Sequence, residues 1–196
     1  MNTGLLASLS DSANDFKNVV WPRISTTPLV GGGVLKPVEA VAEKEFKDEL
    51  DLLAGIDAWQ ILYDTSSIRG IASRVQWGSR HDSFSIRIAV RSGNDTEFQK
   101  RLYAIRNRQE GPLYPHITIQ AYLDRKNGSL QAAAAIKTID LIEAAAFLME
   151  KRESLYSRPD FYGFIANGDG SSFIYMRWSY LIYKGLLQEA DIVASL

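Results

Sequence analysis

Apolar residues recur along this chain with two different periods, and the switches between them mark its elements. Over residues 38–53, Val38, Ala42, Phe46, Glu49 and Leu53 fall on one stripe at helical spacing. Pro37 stands where such a helix could begin and Gly55 where it would stop. Three segments rich in β-branched and aromatic residues follow, at 56–63, 69–77 and 83–91, each bounded by turn residues such as Ser66-Ser67 and Gly78-Ser79. The helical period returns over 96–109, where Thr96 or Asp95 is the expected N-cap and Phe98, Leu102 and Ile105 form the apolar stripe. Two more strands are predicted at 116–123 and 130–137, joined by a turn with Asn127-Gly128 as its strongest signal. A helix is predicted from Thr138 to about residue 152. The last unit is a hairpin of 161–166 and 173–183 around Asn167-Gly168-Asp169-Gly170-Ser171. In its second arm Ile174, Met176, Trp178, Tyr180 and Ile182 are expected to share one buried face.

Residues 1–37 lack either period and are broken by Trp21-Pro22, Thr27-Pro28 and Gly31-Gly32-Gly33, so they are expected to be irregular apart from a short helix near 11–20. The remainder, 38–196, is expected to be a single α/β (α+β) domain: a central mixed, twisted sheet flanked by helices.

Composition narrows the chemistry. The 196 residues include no cysteine, which removes disulfides, thiolate nucleophiles and Fe–S clusters, and only two histidines, so a metal would need oxygen ligands. No stretch approaches the roughly 20 apolar residues of a membrane span. No basic residue precedes Lys17, so the N-terminus does not resemble a signal peptide and a cytoplasmic location is expected. The net charge of −1 points to no partner, but its distribution is uneven. Residues 38–64 carry eight acids against two lysines, whereas 68–110 carry nine arginines and lysines against four acids. Such blocks either grip a phosphate backbone and a cation or neutralise each other as solvated pairs.

No phosphate loop, nucleophile elbow or H-E-x-x-H pair occurs, and Gly31-Gly32-Gly33 reads as a turn. What remains is the acidic helix and the strands after it. Glu49 lies on an apolar stripe, where a carboxylate is costly unless paired, metal-bound or at the stripe's edge. Asp57 alternates with Ile56 and Ala58 in an apolar strand. In the next strand Ala72, Arg74 and Gln76 share a face, and Ser85, Arg87 and Arg91 share one in the third. Glu97 and Arg101 form an i,i+4 pair that a solvated helix face explains. His116 is read as an ordinary surface histidine.

The order of these features over residues 38–123 resembles the PD-(D/E)XK phosphodiesterase superfamily: a helix with a glutamate, a strand with an aspartate, a strand with a polar-x-polar pair, a third strand, a helix and a further strand. The resemblance implies a restriction-endonuclease-like core and a Mg²⁺ ion held by Asp57 and Gln76 with Glu49. Arg74 and Gln76 occupy the family's Glu-x-Lys region in reversed order, and Lys100 stands in for the missing lysine. Three functions are therefore weighed. One is a Mg²⁺-dependent nuclease, or nuclease-like subunit of a bacterial or phage defence or mobile-element system, with Asp57, Gln76, Arg74 and Lys100 as its catalytic groups. Another is a non-catalytic binder of nucleic acid, DNA above all, through Arg69, Arg80, Arg87, Arg91, Arg101 and Arg106. The last is an adaptor that docks a protein partner or a second copy through the aromatic hairpin, with Trp178 and Tyr180 as anchors.

Overall fold

The computed structural model describes residues 11–38, 55–110, 113–152 and 158–194. The predicted helix at 38–53, with Glu49, therefore lies outside the described residues except for Val38. The chain folds as an α+β structure with two sheets. The larger contains β1 (Val34–Pro37), β2 (Ala58–Leu62), β3 (Ser67–Trp77), β5 (Ile117–Leu123), β6 (Leu130–Lys137) and β9 (Ile192–Ala194), in the order β1-β2-β3-β5-β6-β9. The smaller contains β4 (Ser83–Ala89), β7 (Tyr162–Ala166) and β8 (Ser172–Arg177), in the order β4-β8-β7. Three described helices accompany them after the N-terminal segment: α1 (Glu97–Arg106), α2 (Thr138–Glu150) and α3 (Trp178–Tyr183).

Among the described strands only β3 and β5 pair in parallel, with Ile71 opposite Ile117 and Trp77 opposite Leu123. A parallel pair needs a crossover, and here the crossover carries β4 and α1. This is why β4, expected beside the other strands, leaves the central sheet and pairs with β8 instead. All seven residues of β5 are buried, so both faces of the sheet are covered. On one face Ile71, Val75, Ile117, Ile119, Ala121 and Leu123 pack against Phe16, Val20, Trp21, Ile24 and Val30. On the other, Tyr122, Ala132, Ala134 and Ile136 meet Leu141, Ile142 and Ala145 of α2 and Phe84, Ile174 and Met176 of the smaller sheet. Burial on both sides also explains why the alanine run in β6 is a strand despite weak intrinsic propensity. No helix among the described residues is long and apolar enough to cross a membrane.

Two expectations need correction. In the described part of the N-terminal segment the short helix expected near 11–20 is present and runs over 11–24, with a π-helical stretch at Phe16–Val20, whereas 34–37, expected to be irregular, form β1. Its apolar residues are spaced to cover a sheet face, which a reading centred on its prolines and glycines passed over. Gly33 has φ of +86°, and a Cβ there would lie 2.6 Å from the carbonyl oxygen of Ile61, so the triple glycine admits a close approach of backbones. Gln60, fully buried, fixes the same turn by donating from Nε2 to the carbonyls of Val30 and Gly32, each at 2.6 Å.

The second correction concerns the hairpin. Its second arm stops at Arg177, and Trp178 begins α3. Arg177 pairs with Ser83, the first residue of β4, so no strand continues beyond it to pair with. The chain turns helical, and Trp178, Tyr180 and Leu181 enter the core.

Candidate functional site

β2 and β3 form an antiparallel hairpin with Ala58 opposite Ile71. That register sets Asp57, just before β2, on the same sheet face as Ala72, Arg74 and Gln76. The Asp57 carboxylate accepts from the backbone N–H of Ser73 at 2.5 Å and from its hydroxyl at 3.3 Å. Beside it is a cavity of about 200 Å³ between this face and α1, lined by charged Asp57, Arg74, Glu97 and Arg101 and by polar Gln120 and Ser85 among others.

α1 positions the charged wall. Thr96 and Gln99 form a capping box that fixes its start: the Thr96 hydroxyl accepts from the Gln99 N–H, and the Gln99 side chain accepts from the Thr96 N–H. Phe98, Arg101, Ala104 and Ile105 face inward. The expectation of a solvated Glu97–Arg101 face is thus overturned. Arg101 is 5% exposed, its guanidinium 2.6 Å from Glu97 Oε1 and donating to the carbonyl of Gly55 at 3.1 Å. Arg74 donates from the opposite wall to Glu97 Oε2 at 3.0 Å and to the Ser85 hydroxyl at 3.1 Å. Burial pushes the Glu97 carboxyl up, but Arg101, Arg74 and Arg87 outweigh it and hold the group below its ordinary value.

Not every donor here is used. Gln120, 2% exposed on β5, has no partner for Nε2 among the described residues, and Arg101 Nε has none among them either. Sequence offered a signal for the arginine. Arg101 falls at i+3 from Phe98 and i−4 from Ile105, squarely on the apolar stripe. Gln120 stands between Ile119 and Ala121 in a strand whose seven residues are all buried.

Next to the cavity, and sharing Arg74 and Ser85 with it, runs a groove of about 570 Å³ between β3 and the outer face of the smaller sheet. Gln76, His81, Phe173, Tyr175 and Arg177 line it, with no carboxylate among its described lining residues. Its arginines lean on its rings. Arg74, and Arg87 from beside the groove without lining it, stand 5.6 and 5.3 Å from the Phe173 ring centre, and Arg177 stands 5.7 Å from that of Tyr175.

The expected Mg²⁺ ligands do not converge. Asp57 lines the cavity, exposed Gln76 lines the groove, and Glu49 lies outside the described residues. Glu97 has each oxygen engaged by an arginine. No group of three metal-ligating side chains occurs among the described residues. Lys100 lines neither the cavity nor the groove.

The expected basic surface is scattered. Arg69 reaches the Leu29 carbonyl from the other face of the sheet, Arg80 pairs with Asp82, and Arg106 pairs with Glu150. Arg101 is buried, which leaves Arg87 at the groove and Arg91 against the Gly170 turn. Trp178 and Tyr180 are 3% and 8% exposed and pack against Phe84, Tyr122 and Tyr162, so neither is available as an anchor. Arg177 and the aromatics of its hairpin could be read from the sequence as able to stack on bases and hold phosphates, whereas His81 was not placed with them; it precedes β4 and meets Phe173 and Arg177 of β8 only through the β4–β8 pairing. The chain matches no known family model, no curated protein and no solved structure.

Proposed function

We propose that this protein binds nucleic acid in the groove between its two sheets, without itself cleaving it. The observation that carries this reading is the groove's wall, where Arg74 and Arg177 stand against aromatic rings and the described lining residues include no carboxylate, Glu97 pairing with Arg74 from the cavity side. A guanidinium resting on a ring loses little freedom when it meets a phosphate, because its plane is already fixed. Exposed guanidinium planes and rings can also take unstacked bases, which favours a single strand over a duplex. The residues proposed to hold Mg²⁺ are divided between cavity and groove, so no cleavage step is derived.

Fluorescence anisotropy with single-stranded and duplex DNA, and with RNA of the same sequence, over a salt series tests this. Affinity should fall steeply as salt rises, and Arg177→Ala and Arg87→Ala should each reduce the slope of log K against log salt by about one. Absent or salt-insensitive binding would remove the reading. Nicking of plasmid that requires Mg²⁺ and disappears in Asp57→Ala would replace it with the nuclease reading.

A further inference from the structure

Tyr175 stands in β8 with a small residue on either side. Its cross-strand partners are Gly163 of β7 and Ser85 of β4, and neither has the bulk to cover it. Strand side chains ordinarily stand up from their sheet, but this ring leans sideways onto β7. A Cβ on Gly163 would lie 2.6 Å from the Tyr175 hydroxyl oxygen and 2.7 and 2.8 Å from Cε1 and Cζ, so the ring occupies the space that any other residue at 163 would fill. The hydroxyl donates to the Pro159 carbonyl at 3.3 Å and ties down the ring's far end. Arg177 donates from Nε to the same carbonyl at 3.5 Å and stands 5.7 Å from the ring centre. That is near the outer limit of about 6 Å for a guanidinium on a ring, so Arg177 flanks Tyr175 rather than capping it. A ring laid down on a sheet turns one face to the backbone and the other outward, and half-buried Tyr175 lines the groove. Ile165, on the same face of β7 as Gly163, lines it too with 49% of its surface exposed, so apolar surface continues past the ring. The groove's volume of about 570 Å³ lies within the ~300–1,000 Å³ of sites that enclose a small ligand, which admits one unstacked base with its sugar.

Resting on the groove reading, we propose that Tyr175 determines what the groove accepts: it stacks an unpaired base of the bound strand while the arginines take the phosphates. Gly163 and the Pro159 carbonyl fix the ring's pose before binding, so little side-chain freedom is lost when a base settles on it. A duplex keeps its bases stacked on one another and offers the ring no face. The groove therefore discriminates by base exposure, with a preference that phosphate contacts alone cannot supply.

The test compares an end-labelled oligodeoxythymidylate with a strand of the same length and label in which every base is replaced by an abasic tetrahydrofuran unit. The two carry the same phosphates. In fluorescence anisotropy the base-bearing strand should bind about tenfold more tightly, with the same slope of log K against log salt. Tyr175→Leu should abolish that preference, and Tyr175→Phe, which keeps the ring, should retain it. Melting temperatures show whether either variant is unfolded, and the wild-type comparison stands without them. Equal affinity of the wild type for the two strands would overturn the stacking proposal and leave the groove standing. A preference that survives in folded Tyr175→Leu would overturn the assignment to this residue. Binding of neither strand would overturn the groove reading as well.

Discussion

Arg101 reaches back one turn along α1 to place its guanidinium 2.6 Å from the Glu97 carboxylate, and this pair looks into the molecule rather than out of it. Replacing Glu97 with Gln removes the counter-charge of a buried guanidinium and a second anchor of Arg74. Breaking one partner of a buried pair typically costs about 3–5 kcal/mol. Glu97 keeps 25% of its side chain exposed, so the expected loss is at the low end, about 3 kcal/mol. Urea denaturation at neutral pH measures it. The double variant Glu97→Gln with Arg101→Met should recover part of the loss, because the stranded charge is then gone as well.

The same carboxyl makes the fold acid-sensitive in a defined direction. Burial raises its proton affinity, the arginines lower it further than burial raises it, and the folded value lies below the ordinary 4.5. A depressed carboxylate contributes stability that is fully present above its unfolded value and lost as pH falls through the folded one. Stability should therefore decline below about pH 4.5. Denaturant titrations across that range should show a shallower acid limb in Glu97→Gln than in the wild type. Parallel limbs would mean that other carboxylates govern the acid response.

His116 is exposed, as its sequence context suggested, yet it has a specific bond: Nδ1 accepts from the backbone N–H of Gly70 at 3.0 Å. An accepting Nδ1 requires the neutral ring with its proton on Nε2. Burial first, and Arg69 second, lower its affinity for a proton below the ordinary value of 6.5. A lowered histidine stabilises the fold above its unfolded value, and that contribution fades as pH drops through the folded one. Following the ring resonances by NMR should give a midpoint below 6.5, and Arg69→Gln should raise it. A midpoint at or above 6.5 would show that the bond to Gly70 does not persist in solution.

Strand periodicity was the most readable signal in this chain. β3, β5 and β6 lie where alternating and β-branched residues put them, and Thr96 caps α1 as its type suggests. The site was less readable because its residues come from the segment before β2 and from β3, β4, α1, β5, β7 and β8, which are brought together by pairings between distant segments. Glu97 and Arg101 show the difficulty best. At i,i+4 spacing the pair is compatible with water or with a core, and only the packing of α1 against the sheet decides. Trp178 shows it in another form. An aromatic run alternates equally well for a strand or for a short inward-facing helix, and the end of β4 settles the matter.

Gln60 should be costly to replace despite lying outside the proposed binding surfaces. Its amide nitrogen supplies the donor for two carbonyls of the Val30–Gly32 turn, and the side chain is fully buried. In Gln60→Met the volume is retained, but both carbonyls lose this donor. At about 1 kcal/mol for each lost bond the expected destabilisation is about 2 kcal/mol. Hydrogen exchange should reveal where it acts: the amides of β1 should lose protection before those of β5, because β1 is the edge strand held by that turn. Uniform loss across both strands would mean that the turn and the sheet unfold as one unit.

Phe173 separates the two parts that charge and geometry play in the groove. Its ring has Arg74 and Arg87 beside it at 5.6 and 5.3 Å, and each exposed contact of this kind contributes about 0.5–1 kcal/mol. Phe173→Leu keeps an apolar side chain of similar bulk and removes the π face, so both guanidiniums keep their charge and lose their support. Affinity for single-stranded DNA should then fall about five- to tenfold, while the slope of log K against log salt stays as in the wild type, since the number of phosphates neutralised is unchanged. Arg87→Ala should instead lower the slope. If Phe173→Leu changed the slope as Arg87→Ala does, the ring would be holding the strand's path rather than orienting the arginines. If it changed neither affinity nor slope, phosphate contacts would not depend on these guanidiniums being held in place, and the argument that preorganised arginines define the groove would fail.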